Sequence, residues 1–174
     1  MQEFIERAQP VKLVIFDVDG VMTDGSLYLS DDGQETKAFN SLDGHGMKML
    51  MRTGVELAII TGRTSRLVAA RANNLGITRL FQGVEDKLVA YRQLLADMRL
   101  QPAATAYMGD DVVDLPVMRR CGLALTVPEA PALVQQYAHY VTKLGGGRGA
   151  VREACEALMR AQQTFEAQMA QYLE

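Results

Sequence analysis

The run Val11-Lys12-Leu13-Val14-Ile15-Phe16 leads into Asp17-Val18-Asp19-Gly20-Val21-Met22-Thr23-Asp24-Gly25, and no other stretch constrains the fold as strongly. A short, continuous, β-branched apolar run bounded by a turn reads as a strand buried on both faces, the habit of parallel sheets. Asp17 and Asp19 then fall at the strand's carboxyl end, where open α/β sheets bind ligands. Carboxylates paired near a protein interior need a counter-charge, most simply a divalent cation with oxygen ligands. A solvated Asp-Gly turn explains the same residues, so the rest of the chain has to decide.

Strand-like runs cover 11–17, 55–60, 79–81, 105–108, 123–127 and 140–142. Helix-like segments alternate with them at 43–53, 64–75, 85–98, 111–120, 130–137 and 148–171. The alternation predicts an α/β fold, a Rossmann-like parallel sheet flanked by helices. One insertion interrupts it: residues 26–40, with Asp32-Gly33 at the turn, read as a β-hairpin directly after the first strand. Gly145-Gly146-Gly147-Arg148-Gly149 reads as the most flexible stretch, ahead of a C-terminal helix and tail over 148–174. At 174 residues, positions 1–174 fit a single domain.

Composition narrows the partners. A net charge of −3 without a Lys/Arg cluster argues against nucleic acid and anionic membrane surfaces. No apolar run approaches membrane-spanning length, and the mixed-charge N-terminus is unlike a signal peptide. Cys121 and Cys155 lack metal-type spacing and read as reduced thiols, which suits a cytoplasmic protein.

Three further groups sit where predicted strands end or helices begin. Thr61-Gly62-Arg63 follows Ile59-Ile60; its hydroxyl and N–H groups suit an anion, Gly62 admits close backbone approach, and a plain helix N-cap is the alternative. Lys87 opens a predicted helix, where the dipole disfavours a cation unless an anion lies nearby. Gly109-Asp110-Asp111-Val112-Val113-Asp114 follows the strand 105–108, and Asp111 there is open to a role as an N-cap only. In a parallel sheet these ends share one edge, so Asp17, Asp19, Thr61, Lys87 and Asp110 should converge. The expected contents are a hard cation and a phosphoryl group held by Thr61 and Lys87.

These four motifs, over about residues 11–150, resemble those of the haloacid dehalogenase superfamily of phosphotransferases. The resemblance implies Mg²⁺-dependent phosphomonoester hydrolysis through an aspartyl-phosphate on Asp17, with Asp19 as general acid and then base. It places Mg²⁺ on Asp17, Asp110 and the backbone carbonyl of Asp19, with Asp111 and Asp114 in support. Dehalogenase relatives lack the second Asp, so Asp19 favours phosphoryl transfer. The spaces between motifs hold no cap domain, which leaves the crevice to be covered by other means. The hairpin 26–40 is the natural shared element of a homo-oligomer.

A finer resemblance is to the 3-deoxy-D-manno-octulosonate 8-phosphate phosphatase family, capless tetrameric enzymes of lipopolysaccharide biosynthesis. It rests on 17–25, Phe39-Asn40-Ser41-Leu42-Asp43-Gly44-His45-Gly46, Thr61-Gly62-Arg63 and Gly146-Gly147-Arg148-Gly149-Ala150-Val151-Arg152-Glu153. It implies a homotetramer built on the hairpins and a C-terminal tail able to fold over a neighbour's site. The small-molecule substrate, a sugar phosphate with a carboxylate, asks for a second cation. Arg63 and Arg71, read as lying on one helix, are the candidates, one of them acting on an adjacent subunit; Asn40 offers a hydrogen bond. Arg66 and Arg71 read equally as solvated helix charges, and His45 as a turn-capping or interface residue. A nine-carbon ulosonate 9-phosphate or a broader range of sugar phosphates is the alternative substrate. Two non-enzyme readings fare worse. A receiver-like phosphoacceptor would order its motifs differently, and an oligomerisation domain would lack acidic residues that are all present.

Overall fold

A computed structural model describes residues 2–173. Six strands form one parallel sheet: β1 (Leu13–Phe16), β4 (Glu56–Ile60), β5 (Arg79–Phe81), β6 (Thr105–Met108), β7 (Leu123–Thr126) and β8 (Tyr140–Val141), in the order β5-β4-β1-β6-β7-β8. The chain builds outward from β1 to β5, then returns to start β6 on the other side of β1. That reversal opens a crevice between the carboxyl ends of β1 and β6, where such sheets receive ligands. β1, β6 and β7 are buried along their whole length, as the apolar runs require.

The helices are α1 (Gln2–Ala8), α2 (Ser41–Arg52), α3 (Arg66–Leu75), α4 (Lys87–Met98), α5 (Leu115–Met118), α6 (Ala132–Gln136), α7 (Ala150–Ala161) and α8 (Phe165–Ala170). α2 packs on α3 and α7, and α1 on α7, while α4 packs on α5. α1 has no counterpart in the sequence reading. About two turns give too little periodicity to stand out, and Phe4 and Ala8 become apolar anchors only against the fold. The expected helix 111–120 is a 3₁₀ turn, Val112–Asp114, followed by the single turn of α5.

The expected helix 148–171 is broken. α7 stops at Ala161, Gln163 takes φ 58°, and the Thr164 N–H turns back to Met159 O. Gln162, which interrupts the apolar stripe, donates to the carbonyls of Ala8 and Val11. α8 then buries Phe165, and Tyr172 hydrogen-bonds both Arg52 and His45 on α2. The tail therefore lies along its own domain rather than projecting from it. His45 serves this contact and caps no turn.

The glycine-rich stretch 145–149 is not a loose linker. The Gly147 N–H donates to Val21 O, and its φ of 64° sets its α-carbon against Thr23 and Asp24 backbone. A side chain on Gly146 would meet Gly20 O. Glycine here permits backbone-on-backbone packing against the loop after β1. At the start of α7, Asp43 accepts the Arg152 N–H at 2.8 Å, and Gly46 leaves room for Arg152 against α2.

The insertion forms the expected hairpin in reduced form. β2 (Tyr28–Leu29) and β3 (Glu35–Thr36) pair antiparallel around a Ser30–Gln34 turn. Leu27, Tyr28 and Leu29 are exposed.

Candidate active site

Asp17 continues the β1 ladder, its N–H donating to Met108 O at 2.9 Å, so its position is set by the sheet itself. The next turn folds on Val18, whose carbonyl accepts from Val21, Met22 and Thr23. Gly20, at φ 84°, passes so close to Asp110 that any side chain there would strike its carboxylate. The loops after β1 and β6 are thereby pressed together across the crevice.

Lys87 is the first residue of α4 because Asp86 caps the helix, accepting the N–H groups of Leu88 and Val89. Its buried ammonium lies 2.5 Å from Asp17 Oδ2 and 2.7 Å from Asp114 Oδ1. Asp114 is fully buried and its oxygens are taken. Oδ1 also accepts the Tyr107 hydroxyl at 2.6 Å, and Oδ2 accepts the N–H groups of Asp110 and Asp111. Asp114 thus positions both Lys87 and the Asp110 loop. Asp111 caps the 3₁₀ turn in a reciprocal capping box, the plainer of its two readings.

Burial and then the charge of Asp114, only partly offset by Lys87, push Asp17 up to about 6. Burial, Asp17 and Asp114 push Asp110 up to about 7. Burial opposes the charge on Lys87, yet Asp17 and Asp114 outweigh it and raise its pKa. Asp17, Asp110 and Asp114 together therefore carry more negative charge than Lys87 balances. Carboxylate oxygens of Asp17, Asp110 and Asp114 lie within 4.8 Å of one another, a hard-oxygen set that fits a divalent cation. Each Asp114 oxygen accepts two hydrogen bonds and each Asp17 oxygen one, so Asp17 and Asp110 are the members of the set with lone pairs left for such an ion.

A cleft of about 250 Å³ collects Asp17, Asp19, Thr61, Gly62, Arg63, Lys87, Asp110 and Asp111. Thr61 is buried and joins the sheet through its N–H to Phe81 O. It is no N-cap: α3 starts five residues later, with Ser65 in the capping position. Residues 61–65 form a loop, so the expected helix-start cradle at Thr61 is replaced by irregular backbone at Gly62 and Arg63. Arg63 consequently does not share a helix with Arg71.

Two expected substrate contacts do not reach this cleft. Asn40 caps α2, accepting from Leu42 and Asp43 and donating to Gly147 O. Arg71 donates to Asn40 O and Asn74 Oδ1 and lies over the Phe39 ring. Both side chains help join α2, α3 and the glycine-rich loop, while Arg71 Nε is buried without a hydrogen-bond partner among the described residues.

The sequence reading passed over Lys37 and Glu35. Lys37 Nζ binds Asp19 Oδ1 and lies 3.3 Å from Glu35 Oε1. Glu35 in turn accepts from Arg63 Nη2 at 3.3 Å and Ser65 Oγ at 2.8 Å. The signal was present as strand alternation, since residues two apart in Glu35-Thr36-Lys37 face the same way.

A parallel sheet carrying these four motifs at one edge defines a haloacid dehalogenase-like hydrolase, and a family model of that description matches residues 80–145. The 3-deoxy-D-manno-octulosonate 8-phosphate phosphatase of Yersinia pestis is 51% identical over 164 residues, 94% of this chain and 88% of the relative. A crystal structure of a probable YrbI family phosphatase from Pseudomonas syringae superposes with a TM-score of 0.99 at 50% identity, covering 100% and 99% of the two chains. The 3-deoxy-D-manno-octulosonate 8-phosphate phosphatase of Moraxella catarrhalis, solved with magnesium, phosphate and KDO, superposes with a TM-score of 0.97 at 41% identity, covering 99% of both chains. The chain belongs to the 3-deoxy-D-manno-octulosonate 8-phosphate phosphatase family.

Proposed function

We propose that this protein hydrolyses 3-deoxy-D-manno-octulosonate 8-phosphate, with Mg²⁺, through a phosphoenzyme on Asp17. The observation that carries the reading is the meeting of Asp17, Lys87 and Asp110 at the β1/β6 crevice, in a chain whose relatives of that name match over nearly its whole length. Asp17 attacks phosphorus, the ester P–O bond breaks, and the leaving alkoxide takes a proton from Asp19. Asp19 then accepts a proton from water, whose oxygen attacks phosphorus; the acyl-phosphate P–O bond breaks and frees Asp17 and inorganic phosphate. Mg²⁺, held by Asp17, Asp110 and the Asp19 carbonyl, supplies Lewis-acid charge to the phosphoryl oxygens. Lys87 adds a fixed positive charge, and Thr61 and Gly62 supply hydrogen bonds.

Arg63, exposed at the cleft, is the cation for the substrate's carboxylate. The exposed Leu27, Tyr28 and Leu29 and the unpaired edges of β2 and β3 support assembly into a homotetramer through residues 26–40. No helix among the described residues is long and apolar enough to cross a membrane, and the two free cysteines are buried. The setting we assign is the cytoplasm.

The test is phosphate release with Mg²⁺ from eight- and nine-carbon ulosonate phosphates and simple sugar phosphates. A preference for the eight-carbon substrate is expected. Equal or better turnover of the nine-carbon compound overturns the substrate assignment.

A further inference from the structure

Lys37 lies on the hairpin, yet its side chain is only 2% exposed and its ammonium is bound to Asp19 Oδ1. The pair spans 18 positions and joins the inserted element to the loop after β1. Asp19 lines the cleft, whereas Lys37 reaches it from outside the lining. A buried ammonium has to be paired, and here both neighbours are carboxylates, Asp19 and Glu35. Glu35 is itself fixed by Ser65 Oγ at 2.8 Å and Arg63 Nη2 at 3.3 Å. Asp19 Oδ2 is left facing Arg63 Nε at 3.7 Å.

We propose that Lys37 is a positioning residue for Asp19: by occupying Oδ1 it fixes the carboxyl rotamer and leaves Oδ2 as the oxygen that exchanges the proton with the leaving group and with water. Glu35, itself fixed by Ser65, holds the ammonium in place. Lys37 acts through Asp19 and does not touch the phosphoryl group. The inference rests on Asp19 being the general acid of the proposed reaction.

A positioning role has a signature that a structural or phosphate-binding role lacks. Good leaving groups depart without a proton, and poor ones need it. The experiment therefore compares kcat/KM for p-nitrophenyl phosphate, phenyl phosphate and the 8-phosphate sugar in wild type, Lys37→Met and Asp19→Asn, with Mg²⁺. For Lys37→Met the loss on the alkyl phosphate should exceed that on p-nitrophenyl phosphate by roughly 10–100-fold, following Asp19→Asn in direction. The ratio is taken on one preparation, so it does not depend on the fraction folded, and a less stable variant still reports it. Glu35→Gln, which loosens the same ammonium, should shift the ratio the same way by a smaller factor. Equal loss across the three leaving groups in Lys37→Met overturns the inference if Asp19→Asn discriminates among them. If Asp19→Asn does not discriminate either, the general-acid assignment itself fails.

Discussion

Lys87 Nζ lies 2.5 Å from Asp17 Oδ2, although 70 positions separate the two residues. Neither is exposed enough for water to replace the other. Removing one partner of a buried pair leaves an uncompensated charge, a change that costs about 3–5 kcal/mol. Lys87→Met should therefore destabilise the protein by roughly that amount in denaturant unfolding. It should also slow phosphate release by roughly 10²–10³-fold, because a preorganised charge beside the phosphoryl group is lost. Stability equal to wild type would mean that Asp17 and Asp114 find another counter-charge.

Asp17→Asn keeps the side-chain volume and removes the nucleophile. Mg²⁺-dependent phosphate release should fall to background while the far-ultraviolet circular dichroism and the assembly size are retained. Turnover near wild type would refute the aspartyl-phosphate.

The raised pKa values of Asp17 and Asp110 give a pH dependence of definite sign. Each group holds its proton more tightly folded than unfolded, so its stabilising contribution is complete below about 3.8 and is lost as pH rises through about 6 and about 7. In metal-free solution, Asp110→Asn should gain on wild type across that window. A rise from 3.8 to about 7 corresponds to roughly 4 kcal/mol at about 1.4 kcal/mol per unit, so a gain of several degrees in Tm is expected. Because the cation competes with those protons, Mg²⁺ should stabilise wild type more at pH 8 than at pH 5.5. A Mg²⁺ effect independent of pH would place the ion on other ligands. Thermal melts with and without Mg²⁺ read both effects.

Gly147→Ala should be costly for a reason unrelated to chemistry. Its φ of 64° and its contact with Thr23 and Asp24 backbone leave no room for a methyl group. A loss of at least about 2 kcal/mol is expected in thermal unfolding, with reduced kcat because the loop that carries Asp19 must shift.

Tyr172 sits half-exposed, with its hydroxyl bonded to Arg52 Nη1 at 3.0 Å and to His45 Nε2 at 3.1 Å. Tyr172→Phe should change stability by less than about 1 kcal/mol. A truncation after Met169 tests the tail more directly. If the tail visits a neighbour's cleft, the truncated protein changes KM and kcat for the 8-phosphate while unfolding much as wild type does; unchanged kinetics would remove the tail from the reaction.

Much of this molecule could be read along the chain. The β1 run, Asp17 and Asp19, and the Gly109-Asp110 turn are local patterns, and a parallel sheet brings strand ends to one edge. Helix boundaries were less legible. Thr61 looked like a helix start, but Ser65 takes that position, and the break at Gln162 depends on carbonyls of Ala8 and Val11 some 150 positions away. Asn40 and Arg71 carry groups suited to a substrate, and only the packing of α2 against α3 shows that within the chain Asn40 caps α2 and Arg71 binds its carbonyl, away from the lining of the cleft.

The sheet, the order of its motifs and the acidic set at its edge are legible along the chain, because strand periodicity and strand-end chemistry are local. Which charges meet depends on how the chain folds back on itself. Lys37, one position past a two-residue strand, pairs with Asp19, Asp114 spends its oxygens on Lys87, Tyr107 and two N–H groups, and the glycine-rich stretch becomes rigid packing. Hydrogen bonds and ion pairs act over about 3 Å in space, and spacing along the chain does not encode that distance.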